Sequence, residues 1–315
     1  MTEHVDADNF VRAEPDRMFA ALQRDAGGVN QFFHNREPAP VDRQTVVRLN
    51  RDTLYSFAVV DLSAGAALTL PDAGDRYLSA MVVDNDHFVA DVLHAPGEHR
   101  LDATGVGTRY AVVAVRTLVD PADPADLEAV AAVQDGVVLR AGSADPFVSP
   151  DYDAVSMDAT RDALLALAAG LRRFDGMFGT REQVDPVRHL VGTAAGWGGL
   201  PTTEASYVGV DPGVPPGRYA LTLRDVPVDA FWSVSVYDEK GFFEPNPEGV
   251  YSVNSVTAVP DPDGGVTVRF APRTEVGDAP NTIPVPERWN FLVRVYRPRA
   301  EVLDGTWRVP ELHAL

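Results

Sequence analysis

The chain contains no cysteine, which excludes a disulfide framework, a thiolate metal site and a cysteine nucleophile. Lysine is nearly missing as well: Lys240 is the only one among 27 basic side chains, and the rest are arginine. That bias fits a GC-rich genome or a salt-adapted surface before it says anything about substrate. Acidic residues number 46, giving a formal net charge of −19. Such a chain is repelled by nucleic-acid phosphates and by anionic lipid, so neither nucleic acid nor membrane is an expected partner. No apolar run approaches the ~20 residues that cross a bilayer. The opening run Met1-Thr2-Glu3-His4-Val5-Asp6-Ala7-Asp8 lacks the basic and apolar segments of a signal peptide, and the expected location is cytoplasmic. Also missing are a Gly-x-Ser-x-Gly elbow, a Walker loop and a complete Gly-x-Gly-x-x-Gly fingerprint, so no organic cofactor is expected.

What is present is a globular chain of 315 residues, 45% hydrophobic, long enough for two ordinary domains. Apolar spacing predicts a helix over 6–26, ended by Gly27-Gly28. Short β-branched or aromatic runs follow at 45–49, 53–62, 76–83, 88–93 and 110–117, separated by turns such as Pro71-Asp72-Ala73-Gly74. The middle reads as helix at 123–133, 156–178 and 187–195, with Arg172, Arg173 and Asp175 on the polar face of the second. Strand patterning returns at 219–224, 230–237, 251–258, 265–270 and 289–297, with a hairpin expected between the third and fourth of these. The expected fold is mostly β with helices (α+β): two antiparallel β-sandwich-like lobes joined by a helical segment. The expected division is an N-terminal lobe over 1–150, a helical connection over 151–205 and a C-terminal lobe over 206–315.

The run Asn50-Arg51-Asp52-Thr53-Leu54-Tyr55-Ser56, followed by Asp61-Leu62 and Leu70-Pro71, resembles the N-terminal signature of a known domain pair. The later run Phe231-Trp232-Ser233-Val234-Ser235-Val236-Tyr237-Asp238 resembles the other member. So do Tyr251-Ser252-Val253-Asn254-Ser255 and Arg294-Val295-Tyr296-Arg297-Pro298. The pair comprises the domains of unknown function 1254 and 1214. The resemblance implies two β-sandwich-like domains with helices between them, and no established activity. Asn281-Thr282-Ile283-Pro284-Val285-Pro286 stands where the family usually has Asn-Trp-Leu-Pro-x-Pro.

Candidate site residues follow from alternation along two strands. Phe231, Ser233, Ser235 and Tyr237 share one face of the 230–237 strand, opposite Trp232, Val234 and Val236. Asn290, Arg294 and Tyr296 share a face of the 289–297 strand. If those faces adjoin, Ser233, Tyr237, Arg294 and Tyr296 line one cavity. In the 50–56 run, Arg51 would clamp a carboxylate or phosphate, Asp52 would act as base and Tyr55 as proton donor, with Asn50 as a ligand contact. The same Asn50 and Asp52 equally suit Asx turns, with Asp52 paired to a nearby arginine. A metal is not expected; Asp86, His87 and His94 are the weak candidates, and the loop Asp84-Asn85-Asp86-His87 lacks the glycine and distal glutamate of a calcium loop. His189 reads as a structural histidine.

Three functions remain open. One is a cofactor-independent enzyme acting on a small polar or anionic organic molecule in a cleft between lobes. The second is a non-catalytic module for a sugar or metabolite. The third is a structural protein whose aromatic faces are buried in a homo-oligomer.

Overall fold

The computed structural model describes residues 2–44, 47–169, 171 and 173–315. The chain divides into two compact units: Met1–Pro38 with Thr53–Pro201, and Ala39–Asp52 with Thr202–Leu315. The architecture is α+β, with no closed barrel. No helix of the described residues is long and apolar enough to cross a membrane.

The first unit begins with α1 (Phe10–Ala26). Its start falls later than the expected residue 6, because Asp6 and Asp8 are held in a turn. There Asp6 N donates to Asn9 Oδ1 at 3.0 Å and Asp8 N to Asp6 Oδ1 at 2.9 Å. Gly27, at φ 82°, closes the helix: Gly27 N and Gly28 N donate to the Arg24 and Gln23 carbonyls. The strands are β1 (Phe33–His34), β2 (Thr53–Asp61), β3 (Ala66–Leu70), β4 (Leu78–Asp84), β5 (Val89–Leu93) and β6 (Gly97–Leu101). After α2 (Ala103–Val106) come β7 (Tyr110–Leu118), α3 (Pro124–Asp135), β8 (Val138–Ala141), α4 (Ala154–Ala168) and α5 (Pro186–Ala195).

An antiparallel sheet ordered β1-β2-β7-β4-β5 faces a shorter one ordered β6-β3-β8. The core between them joins Val60, Ala80, Val82, Val113 and Val115 to Leu68, Leu70 and Leu101. Strands β3, β6 and β8 were not anticipated, since Ala66-Ala67, Gly97-Glu98 and Arg140-Ala141 are poor strand formers. A helical cluster is built from Phe10, Ala13, Met157, Leu164 and Val191.

The helix expected over 156–178 ends at Ala168. Beyond it, the Arg173 and Asp175 carbonyls are taken by the Arg188 guanidinium instead of by helical N–H groups, and Gly176 adopts φ 70°. Leu171 and Phe174, whose spacing suggested helix, pack against the helical cluster from this irregular segment. Arg173 pairs with Asp175 as a local contact, and Arg172 lies outside the described residues.

The second unit carries β9 (Ala205–Val210), β10 (Tyr219–Leu223), β11 (Trp232–Asp238), β12 (Ser252–Asn254) and β13 (Val266–Pro272). Then come β14 (Thr282–Val285), β15 (Trp289–Tyr296), α6 (Ala300–Leu303) and β16 (His313–Ala314). Two four-stranded sheets, β14-β13-β10-β16 and β12-β11-β15-β9, enclose a core of Leu221, Val268, Phe270 and Ile283 against Trp232, Val234, Phe291 and Val293. Pro284 is tolerated in β14 because that strand is an edge.

The expected hairpin between the third and fourth runs does not form. The Asp261–Gly265 turn is tight, with Gly264 N donating to Asp261 O at 2.9 Å, yet β12 pairs with β11 while β13 pairs with β10 and β14. The chain changes sheets there, so turn chemistry alone misled. The strand expected over 45–49 also fails. Thr45 and Val46 lie outside the described residues, Val47 and Arg48 form a turn, and Arg48 sits at φ 55°.

Candidate functional site

Alternation along β11 and β15 puts Trp232, Val234, Val236, Trp289, Phe291, Val293 and Val295 into the sandwich core and turns Ser233, Ser235, Tyr237, Asn290, Arg294 and Tyr296, with Leu292, to the other face. The two strands are antiparallel neighbours, with Ser233 opposite Arg294 and Tyr237 opposite Asn290. Across the sheet one row reads Asn254, Ser233, Arg294, Tyr207. This polar face is not solvated: Ser233 and Tyr237 are 0% exposed, Tyr296 2% and Arg294 3%. A buried charge demands partners, and Arg294 has four. Its guanidinium donates to Ser235 Oγ at 2.9 Å, Tyr237 Oη at 2.7 Å, Arg48 O at 2.8 Å and Leu49 O at 3.4 Å.

The two carbonyls come from Ala39–Asp52, which belongs to this unit. Arg48 takes the left-handed conformation at a turn anchored by Arg48 N donating to Gly241 O at 2.8 Å. Leu49 O accepts from Tyr237 Oη at 2.8 Å. Val41 and Leu49 pack on Tyr237, Phe243, Tyr251 and Leu292, and the Gln44 amide clamps the Phe243 backbone from both sides. Asn50 Nδ2 donates to Tyr296 Oη at 3.1 Å, and Asn50 Oδ1 closes an Asx turn on Asp52 N at 3.0 Å.

Asp52 is 1% exposed and pairs with no arginine among the described residues. Its Oδ1 accepts from Ser252 Oγ at 2.9 Å and Asn254 Nδ2 at 3.4 Å. Arg51 lies over the Tyr251 ring, 5.2 Å from its centroid, and donates to Ala39 O. The Arg48 guanidinium lies over Gly209, where a Cβ would come within 3.8 Å of Nη1. Burial holds Arg48 below the usual arginine range, opposed by the Tyr237 oxygen and reinforced by the Arg294 cation. Burial likewise depresses Arg51 and pushes the Tyr237 phenol up.

The segment therefore adds the Arg48 and Arg51 guanidinium groups and the Asp52 carboxylate to the buried face that already holds Arg294. None of the three arginines forms an ion pair among the described residues. Four polar atoms on that face are buried without a partner among those residues: Arg48 Nη1, Asp52 Oδ2, Ser233 Oγ and, opposite Tyr237, Asn290 Oδ1.

Tyr55 belongs to the other unit, on β2, where it stacks on Phe57 at 5.6 Å beneath the Arg116 guanidinium. The weak metal candidates have other roles. Asp86 pairs with Arg12 at 2.6 Å and with Arg181 at 3.5 Å, and His94 Nδ1 donates to Leu78 O at 3.1 Å. His87 Nε2 accepts from Gly198 N at 2.9 Å, so its proton sits on Nδ1, which donates to Thr193 Oγ1 at 2.8 Å. Among the described residues no group of three His, Asp or Glu is placed to hold a metal. His189 is buried, its ring nitrogens each 3.0 Å from a carbonyl oxygen, of Met177 and of Asp86.

Sequence reading missed Arg48, Ser252 and Asn254. Arg48 lies in a run whose pattern suggests a strand, and Ser252 and Asn254, although part of the Tyr251–Ser255 run that resembles the family signature, gain a role only when β12 pairs with β11.

Two family models match the chain, each described as a protein of unknown function: DUF1254 over residues 29–99 and DUF1214 over residues 214–300. No curated protein matches it. The crystal structure of a Vibrio parahaemolyticus protein is similar, with a TM-score of 0.71 and 17% identity over 98% of each chain. An uncharacterised protein from Burkholderia cenocepacia is similar with a TM-score of 0.54 and 16% identity, over 98% of this chain and 86% of that one. At such identities the likeness concerns fold alone. Arg48–Asp52 fall within the first family match, and Ser233, Asn254 and Arg294 within the second. The chain thus pairs an N-terminal DUF1254 region with a C-terminal DUF1214 region.

Proposed function

We propose that the polar face of the second unit binds a small organic anion, with Arg48 as the principal cationic contact and Arg51 beside it. One observation carries the reading: Arg48 Nη1 is buried and unpartnered among the described residues, in a chain whose net charge is −19. Leaving such a donor unmet costs about 1–3 kcal/mol, and a carboxylate or phosphate oxygen offsets that cost. Arg294 is committed to four acceptors and serves as the rigid base on which the Arg48 turn rests. A catalytic extension is favoured by Asp52, whose Oδ2 is buried and has no hydrogen-bond partner among the described residues.

Calorimetric titration of the full chain with acetate, propionate and inorganic phosphate tests the proposal. The expected result is saturable binding to the wild type, weakened roughly ten-fold or more in Arg48→Met. Absence of binding by every anion at millimolar concentration would overturn it. For the catalytic extension, Asp52→Asn is expected to abolish turnover of an acid that the variant still binds through Arg48; unchanged turnover removes Asp52 as base.

A further inference from the structure

The acceptor side of this cluster is as unmet as its donor side. Asp52 Oδ1 is satisfied by Ser252 and Asn254, whereas Asp52 Oδ2 has no partner among the described residues. Ser233, at 0% exposure, likewise has an unpartnered Oγ. The two atoms belong to one neighbourhood. Ser233 and Asn254 are register partners on the same face of β11 and β12, and Asn254 supplies the amide that reaches Asp52. Side chains paired in this way stand about 4.5–5.5 Å apart at Cβ.

The chemistry selects what fits. A second carboxylate or a phosphate would be repelled by Asp52. An ammonium would suit Asp52 but would sit on a face that already holds Arg48, Arg51 and Arg294 against a single carboxylate. A neutral hydroxyl satisfies both atoms, since its proton goes to Asp52 Oδ2 and its lone pair accepts from Ser233 Oγ. We infer that the ligand is a hydroxycarboxylate, of the hydroxy-acid or sugar-acid class, with its acid group on Arg48 and a hydroxyl between Asp52 and Ser233. The inference rests on the anion-binding reading above. Arg48, Asn50 and Arg51 are the half-buried members of the cluster, so the ligand enters on their side.

Calorimetric titration with glycerate and gluconate, set against propionate, butyrate and neutral glycerol, separates the two claims. The hydroxy acids are expected to bind at least ten-fold more tightly than the plain acids, because rejecting an analogue that leaves buried polar groups unpaired is the stronger form of discrimination. In Ser233→Ala and in Asp52→Asn, each checked for native circular dichroism, that ratio falls at least three-fold. Equal affinity for hydroxy and plain acids overturns the hydroxyl assignment and leaves the anion site standing. Binding of neither class overturns both, and binding of glycerol without any acid removes Arg48 from recognition.

Discussion

The Arg294 guanidinium donates to the backbone carbonyl of Arg48, 246 positions earlier in the chain, at 2.8 Å. A side chain on a central strand thereby holds the left-handed turn that presents the Arg48 side chain. Removing the first group acts on the second without touching it.

Arg294→Met is therefore expected to lower stability by roughly 3–5 kcal/mol, because Ser235, Tyr237 and two carbonyls lose a buried charged donor. Urea unfolding followed by fluorescence measures it. An unchanged midpoint would show that the cluster contributes nothing to the fold. Arg294→Lys should recover only part of the loss, since an ammonium cannot span the same set of acceptors.

A smaller effect is expected for Tyr237→Phe. The ring keeps its stack on Phe243 at 4.6 Å, while the donor to Leu49 O and an acceptor for Arg294 disappear. About 1–2 kcal/mol should be lost. Combined with Arg294→Met, the two effects should fall well short of additive, and strict additivity in a double-mutant cycle would show that the groups do not act as a unit.

His87 makes stability depend on pH. It is buried, and burial, with His189 adding to it, pushes its imidazole down to about 3 from 6.5. The folded state thus resists protonation while the unfolded chain accepts it. Stability should be fully retained above pH ~6.5 and fall as pH drops toward 3, by up to several kcal/mol. Protonation would also oppose the hydrogen bond that Nε2 accepts from Gly198 N. In His87→Gln the slope of stability between pH 6 and 4 should flatten; an unaltered slope would assign it to other groups.

Asp61 sits at 0% exposure and collects donors from Arg109, Ser143 Oγ at 2.6 Å, Asp145 N at 3.0 Å and Ser63 N at 3.1 Å. Burial alone would raise its pKa, but these donors outweigh burial and hold the carboxyl well below the usual range. Its stabilisation is present above pH ~4 and is lost as pH falls. Asp61→Asn should lower the melting temperature at neutral pH, because Ser143, two backbone N–H groups and the half-exposed Arg109 lose the carboxylate they share. A melting temperature within a degree of wild type would contradict this.

Strong periodicity carried most of the architecture. The 53–62 and 110–117 runs became β2 and β7, paired over nine residues, because β-branched and aromatic side chains suit a sheet buried on both faces. Strands β3, β6 and β8 escaped notice because alanine, glycine and glutamate give no strand signal, and only the apolar surface of the larger sheet makes them pair. The helix over 156–178 was overextended because Leu171 and Phe174 keep helical spacing while the backbone beyond Ala168 follows Arg188 and Gly176.

By itself the sequence determined which side chains of 230–237 and 289–297 share a face, since alternation is a property of each strand alone. It could not determine that those strands are neighbours, that Ser252 and Asn254 complete their row, or that Arg48–Asp52 lie on the far side of that sheet. The first two depend on strand pairings that join Ser233 to Arg294 and to Asn254, and the last on hydrogen bonds between groups 200 or more positions apart, so only the folded chain brings them within reach.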